Sequence, residues 1–291
     1  MVKRKIRDHL PFDYNFDMTS TTDTPTGGQR QRSVAEEIDA LTDPDFMTSL
    51  ARGLAVLRAF ADVRKPQTIA QISQQTGIPR AAVRRCLHTL KQLGYVEAEL
   101  NNFSLRPKVL ALGYSYLSST PLSAAAQPCL DQISRTLGES SSLAVLEEDQ
   151  VLYVARAATS RVMSVSLSAG SRLPAYCTSL GRVLLSHLPS TELDAYLERV
   201  VLAPRTEHTV TDPARLRAVL DQVREDGYAI NNEELELGLR SIAVPVRGAS
   251  GRVLAALNVG AQAARVPAQR MLDEFLPVLR KGAQELALLL P

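Results

Sequence analysis

IPRAAVRRCLHTLKQLGYV, residues 78–96, is the stretch on which the reading of this chain turns. Val83, Leu87, Leu90 and Gly94 recur at spacings of four, three and four, the period of one face of an α-helix, and Cys86 and Leu93 border that stripe. Pro79 suits the first helical turn, where a backbone N–H has no partner to lose. Arg80, Arg84, Arg85, His88 and Lys91 fall on the other faces. Alone, this is an amphipathic helix whose basic side either meets water or presses against a polyanion. The neighbouring segments separate the two.

Upstream, MTSLARGLAVLRAFADV (residues 47–63) predicts a helix with Leu50, Leu54 and Leu57 inward, widened by Ala51, Val56 and Phe60, and with Thr48 or Ser49 as its cap. KPQTIAQISQQTG (65–77) predicts a second, shorter helix that begins at Thr68, buries Ile69 and Ile72, and stops at Thr76-Gly77. After Gly94 the period changes to two. YVEAELNNFSLRP (95–107) reads as a hairpin that turns at Asn101-Asn102. Three helices with a tight turn between the second and third, followed at once by a hairpin, make a winged helix-turn-helix over residues 47–106. Residues 48–106 hold nine Lys and Arg against three Asp and Glu, whereas the formal net charge of the whole chain is only +2. A basic excess confined to that segment is the electrostatic footprint of a nucleic-acid partner.

Residues 1–46, with TSTTDTPTGGQRQRS at 19–33, read as a flexible tail, with a short helix over VAEEIDAL (34–41). Residues 107–121 predict a linker helix. From Leu122 to Pro291 a helix, strands such as SSLAVLEE and QVLYVARAA, a loop GSRLPAY, and further helices and strands alternate. This is an α+β domain with a central antiparallel sheet. No stretch reaches the ~18–20 apolar residues of a membrane span. The three cysteines are far apart with no C-x-x-C, so a reduced, cytoplasmic setting is expected.

The motifs SLARGLAVLRAF, TIAQISQQTGIPRAAVRRCLHTLKQLGYV, GSRLPAYCTSLGRVLL and NEELELGLRSIAVPVRGASGRVLAALNV, in that order, resemble the IclR family of bacterial transcriptional regulators over residues ~47–291. The wording of PRAAVRRCLHTL and LPAYCTSLGR is most similar to its PcaR, PcaU and PobR subgroup, which governs protocatechuate and p-hydroxybenzoate breakdown through the β-ketoadipate pathway. The resemblance implies a winged helix joined by a linker helix to a GAF-like effector domain. It also implies a homodimer or tetramer on palindromic double-stranded promoter DNA, a small carboxylate effector, and RNA polymerase as a further partner if the protein activates. The subgroup favours an activator; a repressor answering another organic acid stays open.

In the reading helix, Arg84 and Arg85 are expected at base edges, because an arginine can donate two hydrogen bonds to guanine. Arg80 is open between base, phosphate and solvent. Ala81 and Ala82 keep the helix start slim, and Thr89 completes the DNA-facing set. Arg52 and Thr68 are expected at phosphates, as is Asn101 or Asn102 at the hairpin tip. In the second domain YCTSLG (176–181) joins hydroxyls to a helix start whose open N–H groups suit a carboxylate. Thr178, Ser179 and Leu180 would receive it, with Tyr176 stacking on a ring or closing the entrance. The family's pocket positions carry over to Ser179, Leu180, Asn231, Leu239, Ser241 and Asn258. A buried carboxylate also calls for a cation, for which Arg156, Arg161, Arg172 and Arg240 are equal candidates. No metal-ligand spacing, G-x-S-x-G or Cys–His pairing is present, which argues against an enzyme and calls for no cofactor. The remaining rival, a constitutive DNA-binding protein, leaves the hydroxyl-rich YCTSLG loop without a purpose.

Overall fold

The structure, a computed structural model, describes residues 33–41, 43–60, 63, 65–112, 121–159 and 167–288. The chain divides into two compact units between Tyr114 and Ser115.

In the first unit, α1 (Val34–Asp39) starts at a capping box: Ser33 Oγ accepts from Glu36 N, and Ser33 N donates to the Glu36 carboxylate. Ala35 and Ile38 are buried with Val56, Ile72, Ile78, Val83 and Leu87 in one core. The short helix expected over residues 34–41 is α1, packed into this core and not held in a flexible tail. Burying a side chain such as Ile38 is worth about 1.5–3 kcal/mol, enough to hold a short helix that would not persist alone. Residues 1–32 lie outside the described residues.

α2 (Thr48–Arg58) begins at Met47 with no side-chain cap, so neither Thr48 nor Ser49 plays that part. Its buried residues are Ala55 and Val56, followed by Ala59 and Phe60, while Met47, Leu50 and Leu54 are exposed. Of the expected inward leucines, Leu50 and Leu54 face outward, whereas Leu57 packs partly buried against the core. Small Ala55 and β-branched Val56 permit the close approach of α2 to α4 that larger leucines would block.

β1 (Gln67–Thr68) leads into α3 (Ile69–Thr76), and Gly77 closes that helix at φ 73°. A side chain at Gly77 would meet Ser33 Cβ at 2.7 Å, so both backbone and space require glycine there. The turn at Gly77, Ile78 and Pro79 opens α4 (Arg80–Gln92). β2 (Val96–Glu99) and β3 (Asn102–Leu105) follow, giving a small antiparallel sheet ordered β1-β3-β2. The hairpin turns at Leu100-Asn101, one residue earlier than expected, because Asn102 pairs with Glu99. Beyond it Pro107–Val109 forms one 3₁₀ turn. Residues 110–112 are helical as expected, and residues 113–120 of the expected linker helix lie outside the described residues.

The second unit is built on six antiparallel strands ordered β6-β5-β4-β9-β8-β7. In chain order these are β4 (Ser140–Glu147), β5 (Gln150–Ala157), β6 (Arg172–Pro174), β7 (Ala229–Asn232), β8 (Leu239–Arg247) and β9 (Val253–Gln262). β6 lies in a segment read from sequence as loop. One sheet face packs on α5 (Pro121–Leu137) and the C-terminal helices, with Ile242, Val244, Leu257 and Val259 inward. Those helices are α9 (Ala268–Arg270) and α10 (Leu276–Ala287), joined by a π-helical turn at Met271–Phe275. The opposite face, carrying Ala144, Val151, Ala243 and Ala256, packs on α6 (Ser179–Ser186), α7 (Ser190–Arg199) and α8 (Pro213–Asp226). Period-two alternation assigns β9 cleanly: odd residues 255–261 enter the first core, and even positions Asn258 and Gly260 face the second side.

Candidate functional site

The helix-turn-helix presents α4 with Ala82, Val83, Leu87 and Leu90 buried and its other half exposed. At about 100° per residue, Arg80, Arg84 and Lys91 run along one edge of that exposed half, and Arg85 and Thr89 along the other. Ala81 and His88 lie between them. Arg80, Arg84 and Arg85 are exposed and form no ion pair among the described residues. Thr89 Oγ1 donates to Arg85 O at 3.1 Å. Ala82 is in the core, so of the two alanines only Ala81 lies on the open surface.

Two expected phosphate contacts are engaged elsewhere. Arg52 Nη2 donates to Asp39 Oδ1 at 2.6 Å, a long-range contact that ties α2 to α1. Thr68 is the cap of α3, accepting from Gln71 N and donating to Gln71 Oε1 at 2.9 Å. Its hydroxyl is committed to the helix. At the wing tip Leu100 adopts φ 55° and is 95% exposed; only Asn101 of the two expected tip residues is in the turn.

In the second unit a cavity opens between the sheet and the start of α6. Thr178, Ser179, Asn231, Leu239, Ser241 and Asn258 all line it, together with Ser140, Tyr153, Arg156, Leu167, Leu173, Cys177, Leu235 and Gly260. Two expected residues do not. Tyr176 OH donates to Ala203 O at 2.6 Å, and Leu180 packs wholly into the core behind the cavity. Thr178 lines the wall but spends its hydroxyl as the helix cap, accepting from Gly181 N at 3.1 Å. That bond leaves the N–H groups of Ser179 and Leu180 as the open donors of the helix start. Gly181 lets α6 touch the preceding loop: a Cβ there would stand 2.1 Å from Ala175 O.

The four candidate arginines separate. Arg161 lies outside the described residues. Arg172 is partly exposed and pairs with Glu147 at 2.5 Å. Arg240 donates to Asn232 Oδ1, Ala263 O and Val266 O. Arg156 lines the cavity, donates from Nη1 to Ser142 Oγ at 3.0 Å, and keeps a buried Nε with no partner among the described residues. Its position depends on a β-bulge. Leu143 pairs with Ala155 and Ala144 with Tyr153, so Val154 is an extra residue on β5. Tyr153 and Arg156, three apart, thereby face the same side, where a regular strand would turn Arg156 away. Burial depresses the Arg156 pKa, because the guanidinium has been taken out of water. Asn258 Oδ1 is likewise buried without a partner. Tyr153 has its pKa raised to about 12 by burial and stays a neutral phenol.

Cys177 is fully buried, and desolvation pushes its thiol up to about 12. A helix start beside hydroxyls therefore does not make it a thiolate. Native protein at pH 8 is expected to leave Cys177 unalkylated by iodoacetamide, with labelling appearing only in urea; rapid native labelling of Cys177, mapped by peptide mass, contradicts this.

Among the described residues, no cluster of three or more His, Cys, Asp and Glu side chains could hold a metal ion, and no helix is long and apolar enough to cross a membrane.

Residues 49–99 match the IclR helix-turn-helix domain, and residues 114–288 match the bacterial transcriptional regulator IclR C-terminal domain. The chain belongs to the IclR family. Its IclR relatives include the Pca regulon regulatory protein of Pseudomonas putida, 55% identical over 256 residues, covering 87% of this chain and 88% of that one. The p-hydroxybenzoate hydroxylase transcriptional activator of Acinetobacter baylyi is 41% identical, over 83% of this chain and 91% of its own. An IclR homologue from Microbacterium hydrocarbonoxydans, solved in complex with 4-hydroxybenzoate, superposes with a TM-score of 0.72 at 27% identity, covering 83% of this chain and 98% of that one. These relatives support the PcaR/PobR subgroup, and the IclR chain is a ligand-responsive transcriptional regulator, not an enzyme.

Proposed function

We propose that the cavity of the second unit receives a small carboxylic acid of the kind handled in aromatic-acid breakdown. The observation that carries this is the pair of buried, unpartnered atoms of opposite character on one wall, Arg156 Nε and Asn258 Oδ1. An acid whose carboxylate accepts from Arg156 Nε, and whose hydroxyl donates a hydrogen bond to Asn258 Oδ1, satisfies both, and Leu167, Leu173, Leu235 and Leu239 add apolar lining. The names of two relatives point the same way, one to the pca regulon and one to p-hydroxybenzoate hydroxylase.

In this reading the protein acts in the cytoplasm as a homodimer or tetramer on a palindromic promoter. The outward Met47, Leu50 and Leu54 of α2 favour self-association. Acid binding biases the arrangement of paired winged helices, and contact with RNA polymerase follows if the outcome is activation. Melting curves with β-ketoadipate, protocatechuate and p-hydroxybenzoate test the ligand class: one of the three should raise the melting temperature, and none doing so overturns the reading.

On the DNA side, Arg84 and Arg85 are assigned to base edges, with Ala81 against the groove floor and Arg80 and Thr89 flanking. Arg84→Ala should weaken operator binding by about 1–3 kcal/mol and relax specificity at one base pair, while the acid-induced melting shift survives. An equal loss on random duplex reduces Arg84 to a phosphate contact.

A further inference from the structure

The cavity is narrow, about 30 Å³. A ring or chain bearing a carboxylate that enters it meets the side chains that tie its walls together. One wall is the start of α6 and the loop before it; the other is β7, the β7–β8 connection and the start of β8. Three side-chain ties cross between them. Asn231 Nδ2 donates to Cys177 O at 2.8 Å, and Ser179 Oγ and Ser241 Oγ share a hydrogen bond of 2.8 Å. Both use groups that line the cavity, and therefore groups for which an incoming ligand competes.

The third tie lies behind the lining. Arg182, on α6, donates from Nη1 to Glu234 Oε1 at 2.6 Å and from Nη2 to Glu234 Oε2 at 2.5 Å. Its Nε donates to Tyr176 O at 3.1 Å, and Glu234 Oε2 also accepts from Val210 N at 3.3 Å. Arg182 is 3% exposed and Glu234 7%. Thr209 Oγ1 donates to Glu234 O at 2.7 Å, and Thr206 Oγ1 to Glu233 O at 2.7 Å. Neither Arg182 nor Glu234 lines the cavity, yet Leu235, the next residue, does.

A buried, bidentate ion pair is a poor device for stability, since apolar replacements of both partners often cost nothing; what it fixes is geometry. We infer that Arg182 and Glu234 are positioning residues for the effector site: the anchor that keeps the two walls in register while the Asn231 and Ser179–Ser241 ties are exchanged for ligand. This rests on the ligand reading above.

The test uses full-length Arg182→Gln, Glu234→Gln and the double variant, titrated at 20 °C with β-ketoadipate, protocatechuate and p-hydroxybenzoate. Each single change should raise the Kd of the responding acid at least about tenfold, and should speed amide exchange over residues 203–210 and 231–241 but not in β4 or β9. The double variant leaves no buried lone charge and should recover melting temperature without recovering affinity. Affinity returning together with stability, or unchanged Kd and exchange in the singles, overturns the proposal while leaving the ligand reading intact. A wild-type protein indifferent to all three acids removes both.

Discussion

Arg156→Gln is expected to leave the fold intact and to abolish the melting shift produced by the effector acid. The side chain sits on a paired strand, its backbone carbonyl still accepts from Gln127 Nε2, and glutamine keeps a polar group within reach of Ser142 Oγ. What disappears is the cation. Removing one partner of a buried, hydrogen-bonded charge pair costs about 2–5 kcal/mol, most of it the penalty of leaving the other charge unpaired. That is about 30- to 4,000-fold in Kd. Calorimetric titration with the acid that shifts wild-type protein measures it. The thermodynamic sign is fixed by solvation: burial already depresses the Arg156 pKa, so an arriving carboxylate restores part of the stabilisation that the guanidinium lost on leaving water. A variant that binds as tightly as wild type moves the carboxylate to the open N–H groups of Ser179 and Leu180 and makes Arg156 a bystander.

The second large effect is on stability. Gly181→Ala places a methyl group 2.1 Å from Ala175 O, 2.4 Å from its Cα and 2.5 Å from its carbonyl carbon. All three are backbone atoms, so no rotamer change relieves the clash. Either the loop carrying Cys177 moves, breaking the Thr178 cap and the Asn231 tie, or α6 starts later and its core residues shift. Overpacking usually costs 1–3 kcal/mol when side chains can yield; here, where they cannot, a loss of about 3 kcal/mol or more is expected in the urea transition of the second unit. A loss under about 1 kcal/mol shows that the loop gives way freely, and the tight α6 start is then not the determinant of the cavity wall.

The reading helix was legible because its information is local. A four-three-four apolar spacing, a glycine that must be left-handed at φ 73°, and a hairpin directly after them admit few arrangements. Five of the six positions implied by resemblance line the cavity, Leu180 being the exception, and Asn231, Ser241 and Asn258 do so from strands whose alternation is regular. Where hydroxyls were assigned from chemistry alone, the outcome was divided. Thr68, Thr178 and Tyr176 are as polar as the neighbours that face the cavity or the open helix, but their oxygens complete caps or bond a distant carbonyl. A side chain's hydrogen-bonding capacity is visible in sequence, and whether the backbone has already consumed it is not.

Arginine shows the same division. The order of residues 78–96 was enough to set Arg80, Arg84 and Arg85 on the half of a helix opposite its apolar stripe, because a helix repeats every 3.6 residues whatever surrounds it. No such rule placed Arg156, Arg172 and Arg240 relative to the cavity. Their placement came from one extra residue, Val154, that shifts the phase of β5, and from partners supplied by distant segments: Glu147 for Arg172, Ala263 and Val266 for Arg240. Short-range periodicity is written in neighbouring residues; strand register and long-range pairing exist only once the sheet has closed.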